Sequence, residues 1–166
     1  MTAAWLPTRA LPRVRATAVD PFPAPDLLRA LSVQAPWSWL LCAGYKPLEN
    51  RKWRPNLRGE PRWLLVHAGA KEDRGVAEKI GAELDIDVPV VLSALVGAIL
   101  VSGYENDSPS PWFVGPVAWT IDACVLFASP VTGVKGALAL FRLPLAAEAR
   151  VLDEWGRAEH RSWRYA

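Results

Sequence analysis

Residues 30–51 read ALSVQAPWSWLLCAGYKPLENR, and this stretch decides the fold. Pro36 suits the first position of a helix, where its missing N–H group would have no partner anyway. Gly44 suits the position just after a helix ends. Between these two residues, large apolar side chains recur at helical spacing. The stretch and its flanks therefore predict a strand at 28–33, a short helix at 36–43 and a second strand at 48–53.

Short apolar runs alternate with turn signals along the rest of the chain. The 15 prolines and 11 glycines favour many short elements over long helices. Apolar strands without alternation, joined by frequent turns, favour a closed or nearly closed barrel over an open parallel sheet. The predicted fold class is α+β, mainly β: a small β-barrel with short helices over its ends. The remaining predicted elements are strands at 63–67, 95–101, 117–128 and 137–143, and helices at 72–84 and 145–156.

The composition excludes several classes of protein. The chain has 166 residues, 51% hydrophobic and 22% charged, which fits one globular core and argues against disorder. No apolar run approaches the roughly 18 residues of a membrane helix, and prolines and arginines interrupt the N-terminal stretch, so neither a membrane span nor a signal peptide is predicted. Two cysteines cannot form a disulfide scaffold, and no metal or cofactor motif occurs. We therefore expect a cytoplasmic protein with no metal and no cofactor.

The predicted organisation has three segments. Residues 1–26 contain five prolines and form an extended, proline-rich N-terminal lead. Residues 27–145 form the globular domain. Residues 146–166 form a C-terminal helix and tail, in which His160 is predicted to be solvated.

Charge is unevenly distributed although the net charge is only +2. Between Gly44 and Trp63 the chain has six Lys or Arg residues against two Glu residues. Trp53 lies within this basic segment. A basic segment with interleaved aromatic residues is typical of a local nucleic-acid contact surface.

The spacing of Gly44, Lys46, Glu49 and Arg51 gives the pattern G-x-K-x-x-E-x-R directly after the predicted helix. This pattern resembles the hallmark of the ASCH domain family, which belongs to the PUA-like superfamily. Over about residues 28–143, three further blocks agree with that family in order. They are Arg58-Gly59 with Leu65-Val66-His67-Ala68, Gly97-Ala98-Ile99-Leu100, and Gly115-Pro116-Val117-Ala118-Trp119 with the turn Pro130–Gly136.

The resemblance implies a PUA-like small β-barrel with a cleft beside the G-x-K-x-x-E-x-R motif, where family members are thought to bind RNA or DNA. Some small relatives resemble amidohydrolases acting on acylated cytidine, and others have been proposed as ribonucleases. The amidohydrolase relatives carry a threonine, their proposed nucleophile, where this chain has Glu49. Acyl transfer through a hydroxyl at this position is therefore not carried over.

Three residues are the candidates for catalysis, should the protein be an enzyme. Lys46 would polarise a carbonyl or hold a phosphate while Glu49 or His67 moves a proton. Two alternatives stay open at this point. Glu49 and Arg51 share a strand face and can form a structural ion pair, and His67 can simply bond the backbone at a strand end.

The candidate nucleic-acid-binding residues are the cations and aromatic residues near the motif. Cations would contact phosphates, and tryptophan faces would stack bases. The alternatives are a solvated charged face and tryptophans packed against the domain. The candidates are Lys46, Arg51, Lys52, Arg54, Trp37, Trp53, Lys71 (expected to open the helix at 72–84) and Lys135.

The leading hypothesis is an ASCH-type nucleic-acid-binding module that holds RNA or single-stranded nucleic acid in a basic cleft beside the motif. The alternative is an enzyme acting on RNA or a modified nucleoside, either a metal-independent ribonuclease or an amidohydrolase-like enzyme. A third hypothesis is an interaction module that uses its tryptophan-rich surface to bind a protein partner.

Overall fold

The computed structural model describes residues 14–18, 20–24 and 28–163. Within these ranges the fold is α+β and mainly β, with one 8-stranded sheet and three short helices. The strands are β1 (Arg15–Ala16), β2 (Arg29–Ala35), β3 (Leu48–Arg51), β4 (Arg62–Glu72), β5 (Ala94–Glu105), β6 (Val117–Thr132), β7 (Leu140–Phe141) and β8 (Glu159–Ser162). The helices are α1 (Trp37–Cys42), α2 (Val76–Leu84) and α3 (Leu145–Arg157).

The strands pair in the order β1-β8-β6-β5-β4-β2-β7, and β3 adds to β6 outside this path. The β2–β4 pair is parallel and the other pairs are antiparallel. Among the described strands this path has two ends, β1 and β7, so the sheet is not closed. The α+β, mainly β prediction is confirmed, and the predicted barrel is not.

The central strands of the sheet are buried on both faces over much of their length, which explains their continuous apolar runs. Leu31 and Val33 of β2 pack into one hydrophobic cluster together with Trp119. Ala30, on the opposite face of the same strand, packs into a second cluster with Leu65. Alternate residues of one strand thus belong to two different cores.

Glycine is required where β5 and β6 approach each other most closely. A Cβ atom at Gly97 would lie 1.9 Å from the carbonyl oxygen of Val125 and 2.9 Å from the Cβ of Cys42. Neither contact is sterically allowed. The central hairpin and the packing of α1 on it therefore depend on this residue being glycine.

The second predicted helix begins later than expected. Residues 72–84 were expected to be helical, but β4 continues to Glu72 and α2 begins only at Val76. Lys71 therefore lies on a strand and does not open the helix. Gly75 has a φ of 77°, in the left-handed region that favours glycine, and the chain turns at this residue between β4 and α2.

The C-terminal segment also differs from the expectation of a solvated tail. Glu159–Ser162 form β8, which pairs with β6 on one side and β1 on the other. His160 was predicted to be solvated, but it is 4% exposed. Its Nε2–H donates to the carbonyl oxygen of Trp155 at 3.0 Å, and its Nδ1 accepts from the backbone N–H of Asp20 at 3.3 Å. Packing against a part of the chain 140 residues away buries this polar strand.

Part of the predicted N-terminal lead lies on the sheet. The backbone N–H of Thr17 donates to the carbonyl oxygen of His160 at 2.9 Å, and the indole N–H of Trp155 donates to the carbonyl oxygen of Asp20 at 2.7 Å. Phe22 packs edge-on against Trp155 at 5.5 Å between ring centroids. The rest of the lead, at 1–13, 19 and 25–26, lies outside the described residues.

Candidate nucleic-acid-binding cleft

A cleft of about 570 Å³ lies beside the G-x-K-x-x-E-x-R motif. Its lining comes from the end of β2, the first residue of α1, strand β3 and the start of α2. Leu40 of α1 and Ile80 of α2 pack in one cluster, which holds the two helices together. The lining residues are Ser32, Val33, Gln34, Trp37, Lys46, Glu49, Asn50, Arg51, Asp73, Arg74, Gly75, Val76, Lys79, Trp112 and Val114.

The three charged residues of the motif form one network in this lining. Lys46 Nζ lies 2.8 Å from Glu49 Oε2, and Arg51 Nη2 lies 3.1 Å from Glu49 Oε1. Lys46 and Glu49 are each only 5% exposed. Arg51 Nη2 also donates to the carbonyl oxygen of Ser32 at 2.9 Å, which ties β3 to β2. The Glu49–Arg51 ion pair, one of the alternatives left open by the sequence, is present, and both residues line the cleft.

Two tryptophans form an aromatic end of the cleft. The rings of Trp37 and Trp112 meet edge to face at 6.4 Å between centroids. The indole N–H of Trp37 donates to Asp73 Oδ2 at 3.2 Å, and Lys46 Nζ lies 5.7 Å from the Trp37 ring centroid. Trp37 is partly buried and faces the cleft, whereas Trp112 is 1% exposed. Trp37 is therefore the aromatic residue better placed to meet a ligand.

Asn50 positions the loop that carries Trp112. Its Nδ2 donates to the carbonyl oxygen of Trp112 at 2.9 Å. Its Oδ1 accepts from the backbone N–H groups of Val114 at 2.9 Å and Gly115 at 3.2 Å. The side-chain amide is used by these three bonds, so Asn50 orders the loop and offers little to a ligand. The sequence reasoning did not single out this residue.

Arg74 and Lys79 add positive charge to the part of the cleft lining next to α2. Neither side chain makes a hydrogen bond or an ion pair with any residue in the described part of the chain. The sequence reasoning missed both residues. They lie more than twenty positions after the motif, and only the packing of α2 against α1 brings them close to it.

The cleft carries an excess of positive charge. Four of its lining side chains are Lys or Arg and two are acidic, Glu49 and Asp73. The formal net charge of the lining is thus +2, equal to that of the whole chain, so the charges on the rest of the chain cancel. A concave site with positive lining attracts anionic ligands.

His67 was a candidate base, but the cleft lining among the described residues does not include it. Its Nε2–H donates to the carbonyl oxygen of Val134 at 2.8 Å, and its Nδ1 lies 3.2 Å from Ser32 Oγ. The side chains next to Ser32 along β2 belong to the first cluster, so the Ser32 hydroxyl points to the other face of the sheet. Gly136 packs directly against the contact between His67 and Ser32, since a Cβ at this position would lie 2.7 Å from Ser32 Oγ. His67 occupies a structural position, in keeping with the backbone-bonded alternative.

Lys52, Trp53 and Arg54 follow Arg51 directly and are exposed beyond the cleft. Trp53 is 38% exposed, and its ring packs edge-on against Trp119 at 4.6 Å between centroids. The guanidinium of Arg54 lies 4.9 Å from the ring centroid of Tyr104. These residues form an exposed basic and aromatic surface that continues from β3.

Lys71 and Lys135 are exposed cations outside the cleft lining. Lys71 lies near the end of β4 and Lys135 in the loop after β6. The cleft thus brings together Lys46, Glu49, Arg51 and Trp37, and it leaves the remaining sequence candidates outside.

The two cysteines are poor nucleophiles in this fold. Burial, with the nearby Cys124 adding to it, raises the pKa of the Cys42 thiol well above its usual range. Burial also raises the pKa of Cys124, from 9.0 to about 12. Both thiols are neutral at physiological pH, and the cysteine thiolate is the reactive form.

Comparison with known proteins adds no family. No protein-family model matches the chain, and no curated protein sequence shows significant similarity to it.

Within the described ranges, no three His, Cys, Asp or Glu side chains are grouped so as to share a metal ion. None of the helices described is both long enough and apolar enough to cross a bilayer.

Proposed function

We propose that this protein is an ASCH-type, PUA-like nucleic-acid-binding module that holds RNA or single-stranded DNA in the cleft beside the motif. One observation carries the proposal: a single cavity of about 570 Å³ joins the motif cations with the partly buried Trp37 and an excess of positive charge. Phosphate neutralisation and base stacking are the two contacts that single-strand binding proteins combine. The proposal includes a nearly closed PUA-like barrel and a cytoplasmic location.

The size of the cleft favours a single strand over a duplex. Ligand sites of a few hundred Å³ enclose one small molecule, which corresponds here to about one nucleotide. An unpaired base can be turned out of a strand into such a site, whereas turning a base out of a duplex costs a few kcal/mol more in lost stacking and pairing. The exposed surface of Lys52, Trp53 and Arg54 would then contact the next nucleotides outside the cleft.

The experiment is an anisotropy titration with labelled decamers of single-stranded RNA, single-stranded DNA and duplex DNA at several salt concentrations. We expect the single strands to bind more tightly than the duplex, with an affinity that falls as salt rises. The test variant is Arg51→Gln, which lowers the cleft charge and keeps the Lys46–Glu49 pair. It should bind more weakly, and the slope of log affinity against log salt should drop by about 0.7.

Two results would contradict the proposal: no affinity of the wild-type protein for any strand, or an Arg51→Gln variant with unchanged affinity and slope. Self-association without oligonucleotide affinity would instead favour an interaction module for a protein partner.

One observation favours a second candidate, an enzyme acting on RNA or a modified nucleoside. Glu49 is 5% exposed and still lines the cleft, with Lys46 2.8 Å away. A buried acid next to a cation can exchange a proton with a ligand. A time course of labelled RNA in EDTA tests this: shortening by the wild-type protein, and none by Glu49→Gln, would support it. An RNA that stays intact would contradict a ribonuclease, and equal cleavage by both proteins would remove Glu49 from its mechanism.

A further inference from the structure

The cleft contains two kinds of cation. Lys46 and Arg51 are already paired with Glu49, at 2.8 Å and 3.1 Å. Arg74 and Lys79, at the start of α2, have no hydrogen-bonding or ionic partner among the described residues. The motif cations are therefore partly neutralised before any ligand arrives, whereas Arg74 and Lys79 retain their full charge.

Asp73, the second acid in the cleft lining, does not neutralise these two cations. Asp73 precedes Arg74 in the chain, but its Oδ2 accepts the indole N–H of Trp37 at 3.2 Å, and it makes no ion pair with Arg74 or Lys79. This bond also fixes the Trp37 ring next to the turn that carries Arg74. A base lying against Trp37 and a phosphate at Arg74 would thus be within the span of one nucleotide.

The spacing of the two cations suits one highly charged group. Gly75 separates Arg74 from α2, and the backbone N–H of Lys79 donates to the carbonyl oxygen of Gly75 at 3.2 Å, so Lys79 lies one helical turn further on. A phosphate monoester has about −1.5 to −2 charges at neutral pH and three strong acceptor oxygens. A phosphodiester within a strand has a single charge and is less well matched to two unpaired cations.

We propose that the cleft recognises a phosphate monoester on a nucleotide, with Arg74 and Lys79 binding the phosphate and the Trp37 side accommodating the base. The assignment of the base rests on the proposed function; the phosphate site rests on the two unpaired cations. A free mononucleotide and the phosphorylated end of a strand present the same chemistry to this site.

The test compares ligands with and without the phosphate. Tryptophan fluorescence titrations would use the four common ribonucleosides and their 5′-monophosphates. Anisotropy titrations would use oligouridine decamers with a 5′-phosphate, with a 3′-phosphate or with two hydroxyl ends. The proteins are the wild type, the double variant Arg74→Ala with Lys79→Ala, and a control that loses the exposed cations Arg15 and Arg142, which lie outside the cleft lining.

We expect at least one monophosphate to bind wild type about tenfold or more tightly than its nucleoside. The Arg74/Lys79 variant should lose this preference, and the Arg15/Arg142 control should keep it. The preference should also fade below about pH 6, where the monoester takes up its second proton. Because all four substituted side chains are at least partly exposed, thermal melts should show folded variants.

Equal binding of nucleosides and monophosphates by wild type would overturn the phosphate site, and so would an unchanged preference in the Arg74/Lys79 variant. Preference for a phosphorylated decamer would identify strand ends as the source of the ligand, and preference confined to mononucleotides would identify the free nucleotide.

The titrations with mononucleotides and with decamers also separate this inference from the proposed function. If decamers bind with no dependence on a terminal phosphate, single-strand binding stands and the monoester site fails. If monophosphates bind and no decamer does, the monoester site stands and single-strand binding fails.

Discussion

Lys46 Nζ lies 2.8 Å from Glu49 Oε2 in the lining of the cleft, although the two side chains are only 6% and 7% exposed. Withdrawing two charged groups from water is costly, and their mutual attraction offsets that cost only while both are present. Removing either charge of this pair should therefore destabilise the segment that includes β3.

Lys46→Met should destabilise the protein strongly, by roughly 3 kcal/mol, because it leaves the buried Glu49 carboxylate with Arg51 alone. The double variant Lys46→Met with Glu49→Gln removes both charges and should recover most of that loss. Urea unfolding of the wild type, the two single variants and the double variant measures the coupling. Additive effects of the two substitutions would contradict a coupled buried pair.

Substituting two glycines by alanine should change stability in opposite directions. Gly97→Ala would place a Cβ 1.9 Å from the Val125 carbonyl oxygen and should cost about 3 kcal/mol or prevent folding. Gly156→Ala, in the last turn of α3 with no atom within 4 Å of the new Cβ, should stabilise by up to about 1 kcal/mol. Thermal unfolding of both variants checks the signs. A neutral Gly97→Ala would mean that β5 and β6 are further apart than described.

Trp53→Ala should separate binding in the cleft from binding beyond it. Trp53 is 38% exposed and does not line the cleft, so its loss should weaken decamer binding by about 1–3 kcal/mol. Mononucleotide binding should be unchanged. Parallel titrations with a decamer and a mononucleotide provide the comparison. Equal losses for both ligands would indicate that Trp53 acts on the cleft itself.

Stability should decrease at alkaline pH because of the buried Cys124. Its thiol ionises near 9.0 in the unfolded chain and near 12 in the folded one. Between these values the unfolded state binds fewer protons, so stability falls as pH rises, by at most about 1.4 kcal/mol per pH unit. Urea unfolding from pH 8 to 10 should show a smaller slope for Cys124→Ala than for wild type. Identical slopes would mean that this thiol is not protected in the fold.

Local signals in the sequence predict the elements around the motif well. Pro36 and Gly44 place a helix at 36–43, and α1 spans Trp37–Cys42. Each signal acts within a few residues, so no knowledge of the fold is needed to interpret it. The same local signals place Lys46, Glu49 and Arg51 on one short segment, and the structure places all three in one cleft.

Features that depend on distant parts of the chain could not be predicted in this way. β8 consists of the polar residues Glu159–Ser162, and what makes it a strand is the presence of β6 and β1 on either side. Lys79 reaches the cleft because α2 packs against α1 through Ile80 and Leu40. Neither relationship leaves a pattern in the neighbouring sequence, which also explains why His160 was expected to be solvated.

The pairing of β1 with β8 has a consequence for the order of events during synthesis. Arg15 and Ala16 leave the ribosome early, but their partners Ser162 and Arg161 follow only after almost the whole domain has been translated. The same late segment supplies a neighbour to β6. A nascent chain stalled before Glu159 would therefore keep one side of β6 without its strand and β1 without its partner. The sheet is completed only when β8 emerges.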